Sequence, residues 1–155
     1  MSGKTDRTLP GIAAALAALG LLLPAPARAA LGGDAGSVAR DRQALAGSLT
    51  VTHAAAYDIH ELQAGSGVVR EYLAPGGQVF AVSWQGPRAP DLRQLLGSWF
   101  DRYAAEARAH RTGHHVLSIE APDFAASAVR FQRGFRGRVI LPPLVPAGVS
   151  RDEIH

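Results

Sequence analysis

From Leu49 onward, apolar and polar positions alternate along most of the chain, and the period changes once. Leu49-Thr50-Val51-Thr52 alternates strictly, and Tyr57 to Gln63, Val68 to Leu73 and Val79 to Trp84 follow as short strand-like runs. The runs are separated by turn residues: Gly65-Ser66-Gly67, then Pro75-Gly76-Gly77. Proline at the second turn position followed by glycine suits a type II turn, with positive φ expected at Gly76. Val79-Phe80-Ala81-Val82 is apolar at every position, as in a central strand covered on both sides.

The period then switches. Leu92, Leu95, Leu96, Trp99, Phe100, Tyr103 and Ala107 recur at spacings of three and four, which predicts an amphipathic helix of about four turns beginning at Asp91. Asp91 with Gln94 three residues on reads as a capping box, and Arg108, His110 and Arg111 suit the negative end of the helix dipole. Gly113 is a plausible stop. Strand periodicity returns at Val116 to Glu120. Ala126 to Phe131 and Arg136 to Leu141 read as a hairpin around Arg133-Gly134-Phe135. Pro142, Pro143 and Pro146 end regular structure, and Ser150 with Glu153 could cap one last helical turn. Both tryptophans, Trp84 and Trp99, read as anchors between helix and sheet. The expected fold is α+β: an antiparallel β meander, one long amphipathic helix packed on the sheet, and further C-terminal strands.

The N-terminal pattern differs from all of this. Lys4 and Arg7 precede an unbroken apolar run, Ile12 to Leu23, and Pro24 and Pro26 follow. Ala27-Arg28-Ala29 then fits the small-x-small cleavage pattern of an export signal, with the cut between Ala29 and Ala30. The organisation expected is a signal peptide over 1–29 and a single α+β domain over 30–155. Residues 30–47 would form a flexible or short helical lead-in: Ala30 to Gly36 is Gly-rich, and Ser37 to Leu45 has helical spacing. The apolar run falls short of the roughly 20 residues of a membrane span, and no later run approaches it. A periplasmic or secreted location follows as the expectation.

Composition narrows the partners. The net charge of +3 is largely the leader's; residues 30–155 carry thirteen arginines against twelve carboxylates. That balance argues against wholesale nucleic-acid binding. The chain has no cysteine, so stability must come from packing, and a thiol nucleophile or a lipidated cysteine is excluded.

Candidate chemistry is sparse. His53 and His60 fall on adjacent predicted strands, and His110, His114 and His115 cluster after the helix, but there is no HExxH. Ser66 and Ser98 lie outside any GxSxG elbow, which the chain lacks. Glu61, Glu71, Asp91, Asp101 and Glu120 could pair as an acid and a base, though their spacing also suits solvated faces. No catalytic, metal or cofactor site is assigned on this basis. The densest charge cluster is Arg130, Arg133, Arg136 and Arg138, a possible anion-binding hairpin in which Arg136 and Arg138 share a face. The same charges more readily fit a solvated edge hairpin, where they deter edge-to-edge pairing.

Several stretches together resemble one family. They are Ala30-Leu31-Gly32-Gly33, Tyr57-Asp58-Ile59-His60-Glu61, Val69-Arg70-Glu71-Tyr72, Gly77 to Pro87, Pro90 to Gly97, and Val145-Pro146-Ala147-Gly148-Val149. The family is that of small exported proteobacterial proteins catalogued as a domain of unknown function, number 2844 in its series. The resemblance spans nearly all of 30–155. It implies a secreted or periplasmic protein with no established activity, cofactor or catalytic residues. Three expectations for function follow. The first is a non-catalytic binding or accessory module of the cell envelope, acting beside another exported protein or an envelope polymer. The second is an envelope hydrolase using strand-face carboxylates or histidines. The third is an anion-binding module built on the Arg130–Arg138 hairpin.

Overall fold

The computed structural model describes residues 31–34, 47–109 and 116–155. The leader, its cleavage site, the expected helix at Ser37 to Leu45, and His110, His114 and His115 lie outside the described residues. Strands β1 (Ser48–His53), β2 (Asp58–Ala64), β3 (Gly67–Leu73) and β4 (Val79–Gly86) form the expected meander. Helices α1 (Leu92–Leu96) and α2 (Phe100–Ala109) follow, then β5 (Val116–Glu120), β6 (Ala125–Phe131) and β7 (Gly134–Ile140). All seven strands join one sheet in the order β1-β2-β3-β4-β7-β6-β5, antiparallel throughout. This is the α+β architecture expected from the pattern. Among the described residues no helix is long and apolar enough to cross a membrane.

The order explains the apolar β4. It lies at the centre, between β3 and β7, and Val79 to Trp84 are all buried. One face of the sheet carries Leu62, Val69, Val82, Trp84, Ile119 and Val139 against Leu95, Leu96 and Tyr103 of the helical segment. The other carries Tyr72, Ala81, Ala125 and Ile140 against Ile154 of the C-terminal segment. A β-bulge where β3 meets β4, at Tyr72/Leu73, breaks the alternation and puts Phe80 in this second cluster.

The helical stripe is on the sheet as expected, with a break in the middle. Asp91 caps α1: its Oδ1 accepts from Arg93 N at 2.9 Å and Gln94 N at 3.1 Å. Gly97, with φ 51°, ends α1, and a 3₁₀ turn over Gly97–Trp99 leads into α2. Trp99 then stacks on buried Phe124, with centroids 5.7 Å apart. Arg102 lies 5.0 Å over the same Phe124 ring and grips Asp123 through two bonds of 2.6 and 2.9 Å.

Three local expectations are corrected. In the Pro75-Gly76-Gly77 turn the positive φ (79°) is at Gly77, and Gly77 N donates to Ala74 O at 2.7 Å. This is the form in which a left-handed glycine follows the turn rather than sitting inside it, so the type II assignment fails. The second hairpin is tighter than expected: Phe131 already pairs with Gly134, leaving Gln132 and Arg133 as the turn. The described part of the Gly-rich lead-in is docked: Leu31 is buried, its N–H donates to Leu95 O, and Gly32 N donates to Val79 O at 2.8 Å. Asp34 bridges to Gln78. Leucine at position 31 gives this otherwise small-residue stretch an apolar anchor in the helix-side core.

Candidate functional site

Cross-strand register defines the surface of interest. Residues directly opposite each other point to the same side of a sheet. On the side away from the helices, Thr50, Glu61, Arg70, Ser83, Arg138, Ser127 and Ser118 fall in one row across all seven strands. This row is a polar ladder through the middle of the sheet.

The C-terminal segment covers the ladder's central part. The main-chain oxygen of His155 accepts from Arg70 Nη1 (2.9 Å), Tyr72 OH (2.8 Å) and Ser83 Oγ (3.2 Å). The N–H of His155 in turn donates to Tyr72 OH at 3.1 Å. Arg138 Nη1 donates to the carbonyls of Arg151 (2.9 Å) and Ile154 (2.8 Å), and Ile154 is fully buried. The segment turns at Arg151–Glu153 through the expected cap, in which both arms of the Ser150–Glu153 capping box form. Tyr57 OH donates to Glu153 at 3.3 Å; burial first, and Glu153 second, push the Tyr57 hydroxyl's pKa up.

Past His155 the ladder opens into a cleft of about 380 Å³ on β5, β6 and β7. Its floor and walls include Ser118, Ser127, Val129, Arg136 and Arg138, with Ile154 and His155 closing the inner end. Val116 stands at the outer end, 62% exposed. Arg136 pairs in register with Val129, and Val129 with Val116, so a basic-to-apolar row runs beside the polar ladder. Among the described residues no carboxylate forms an ion pair with Arg136 or Arg138.

The arginine cluster divides. Arg136 and Arg138 share a face, as alternation requires, and both line the cleft. Arg130 does not join them: its guanidinium lies 5.4 Å over the Phe135 ring, on the other side of the hairpin. Arg133 is exposed in the turn. Phe131, which interleaves with them in sequence, is 45% exposed.

The acid and base candidates are also separated. Glu61 accepts from Arg70 Nε at 2.8 Å and Gln63 Nε2 at 3.1 Å. The Gln63 bond, and behind it Arg70, hold the Glu61 carboxyl below its usual range against the opposing effect of desolvation. Glu71 is buried and opposite His60, one position along from Glu61 and Arg70, and so faces the helix side. Burial lowers the His60 pKa, and nearby Asp58 only partly offsets this. His53 bonds Asp58 at 2.7 Å on an exposed edge. Asp91 is the helix cap, Asp101 meets Arg93 at 3.4 Å and Glu120 meets Arg151 at 3.3 Å. Ser66 sits in the β2–β3 turn and Ser98 in the 3₁₀ turn. Among the described residues no three His, Asp or Glu side chains converge as a metal site needs.

Ser118, Ser127, Val116, Val129 and His155 had no functional reading in the sequence. Their only signal is the alternation Val116-x-Ser118 and Ser127-x-Val129, which becomes a surface only once register aligns it with Arg136 and Arg138.

The fold and this face define a single-sheet α+β protein with a helix on one side and a tail-bordered cleft on the other. The chain belongs to the family described as protein of unknown function (DUF2844), which it matches over residues 27–154. No curated protein and no solved structure matches it.

Proposed function

We propose that this protein is an exported, non-catalytic binding module of the cell envelope, and that it binds through the cleft on β5–β7. The observation that carries this reading is the cleft itself: an open, largely apolar concavity of ligand-site size with guanidinium and hydroxyl groups at defined places. Export rests on the leader pattern from Lys4 to Ala29. Two facts support it. The family match begins at residue 27, outside the apolar run, and Leu31 is already part of the core. An envelope component, whether another exported protein or a polymer, is the natural partner in that compartment.

The hydrolase alternative looks for Glu61, Glu71 or His60 together in a concave pocket. Glu71 and His60 are opposite each other on β2 and β3, Glu61 faces the other side of the sheet, and the cleft contains none of them. The anion-binding alternative survives in narrower form, through Arg136 and Arg138 alone.

The test uses cells expressing the full chain. Fractionation should place the protein in the periplasm or medium, with an intact mass that starts at Ala30. The recovered protein should capture an envelope component that Ser127→Trp, which fills the cleft, no longer captures. Cytoplasmic protein retaining Met1 would overturn the export part. Equal capture by the variant would overturn the binding site.

A further inference from the structure

The covered and open parts of the polar ladder are built alike, and the covered part shows what it holds. Arg70, Tyr72 and Ser83 converge on one acceptor oxygen, the main-chain oxygen of His155. Immediately beyond, Arg138, Ser127 and Ser118 continue the row, again guanidinium and hydroxyl donors. Arg138 meets the C-terminal segment through Nη1, whereas Ser127 and Ser118 have no chain segment over them among the described residues, and the cleft occupies the space above them. The neighbouring row sets the rest of the demand. Its inner end is Arg136, with no carboxylate paired to it among the described residues, and its outer end is Val129 and strongly exposed Val116. An occupant must therefore bring acceptor oxygens and negative charge to the arginine end, and apolar surface to the valine end. The size of the cleft suits a small molecule rather than a folded partner.

We infer that the cleft binds an acyl carboxylate: a monoanion with a short apolar chain. Its carboxylate lies at the Arg136–Arg138 end, and its chain runs over Val129 and Val116 toward the β5 edge. Arginine suits the carboxylate because its planar fork matches two oxygens, and the bond is charge-assisted. The chain is held by removal of the exposed valine surface from water. This inference rests on the binding-module reading and names the ligand class of the same site.

The test is calorimetry with protein recovered from cells expressing the full chain, titrated with octanoate, octanol and acetate. Octanoate should bind, and acetate and octanol should each bind at least about tenfold more weakly, since each lacks one half of the match. Arg136→Gln should weaken octanoate by about tenfold or more, the size of a lost charge-assisted hydrogen bond. Ser127→Trp should abolish binding. Arg136 is exposed, so its variant tests the idea even if Ser127→Trp fails to fold. Octanol binding as tightly as octanoate, or octanoate binding unchanged in Arg136→Gln, would overturn the inference. No octanoate binding at all would also overturn it. If Ser127→Trp still abolished envelope capture in that last case, the cleft would remain the binding site and only the ligand class would fall.

Discussion

Leu96 and the close approach of Gly137 to Trp84 make two different predictions on the helix side. Leu96 is fully buried between helix and sheet, so Leu96→Ala should cost about 2–5 kcal/mol in chemical denaturation. Gly137 lies directly under the Trp84 ring, and a Cβ there would fall inside the ring atoms. Gly137→Ala should therefore cost about 1–3 kcal/mol, as overpacking does. Gly76→Ala is the control: a Cβ at Gly76 meets open space, and its effect should stay within about 0.5 kcal/mol. His60 supplies a pH signature. Burial lowers its folded-state pKa, so the unfolded chain binds the proton more readily. Stability should fall as pH drops through the interval below about 6.5, and His60→Gln should remove that part of the decline. A urea midpoint series against pH, on both proteins, reads this directly. Asp123 acts at lower pH: the Arg102 hydrogen bond depresses its pKa, so any contribution is present above the carboxylate range and fades as pH falls through it.

At the scale of elements, the chain's alternation was a good guide to what exists and a poor guide to how it is joined. The amphipathic stripe at Leu92 to Tyr103 was visible because its period is local, and Leu95, Leu96 and Tyr103 are indeed buried. The break at Gly97 was not, because a glycine inside a helical pattern is compatible with either continuation or a left-handed stop. Turn chemistry misled at Pro75 for a related reason: with Gly76 and Gly77 adjacent, either can take the positive φ, and the strand register beyond them selects Gly77. The cleft was illegible on the same grounds. Arg136 and Arg138 could be put on one face from their spacing, but nothing local aligns them with Ser127, Ser118 and Val116, which register alone brings together. The C-terminal clasp was half legible. Ser150 and Glu153 announced the turn, while the three donors on the His155 main-chain oxygen come from residues more than seventy positions away. Tyr72→Phe removes both one donor to that oxygen and the acceptor for the His155 N–H. It should raise hydrogen exchange at His155 and Ile154 selectively, leaving β3 and β4 protected. Uniformly raised exchange would mean the clasp is part of the global core rather than a separable element.

For the molecule as a whole, the two faces have different roles. The helix side holds the larger cluster and reaches out to Leu31, so the packed body includes a residue close to the expected processing point. The other side is held together by the C-terminal segment, and that segment borders a surface whose polar groups are ordered but not all engaged. The proposed function follows from this asymmetry: a rigid sheet, braced from behind, presents a cleft whose inner wall is the chain's own tail. Backbone amide mapping by NMR during an octanoate titration of the recovered protein tests that claim most directly. The account predicts shifts confined to Val116–Ser118, Ser127–Val129, Arg136–Arg138 and Ile154–His155, with Leu92–Leu96 unmoved. Shifts centred on the helical face, or spread evenly over the sheet, would contradict it.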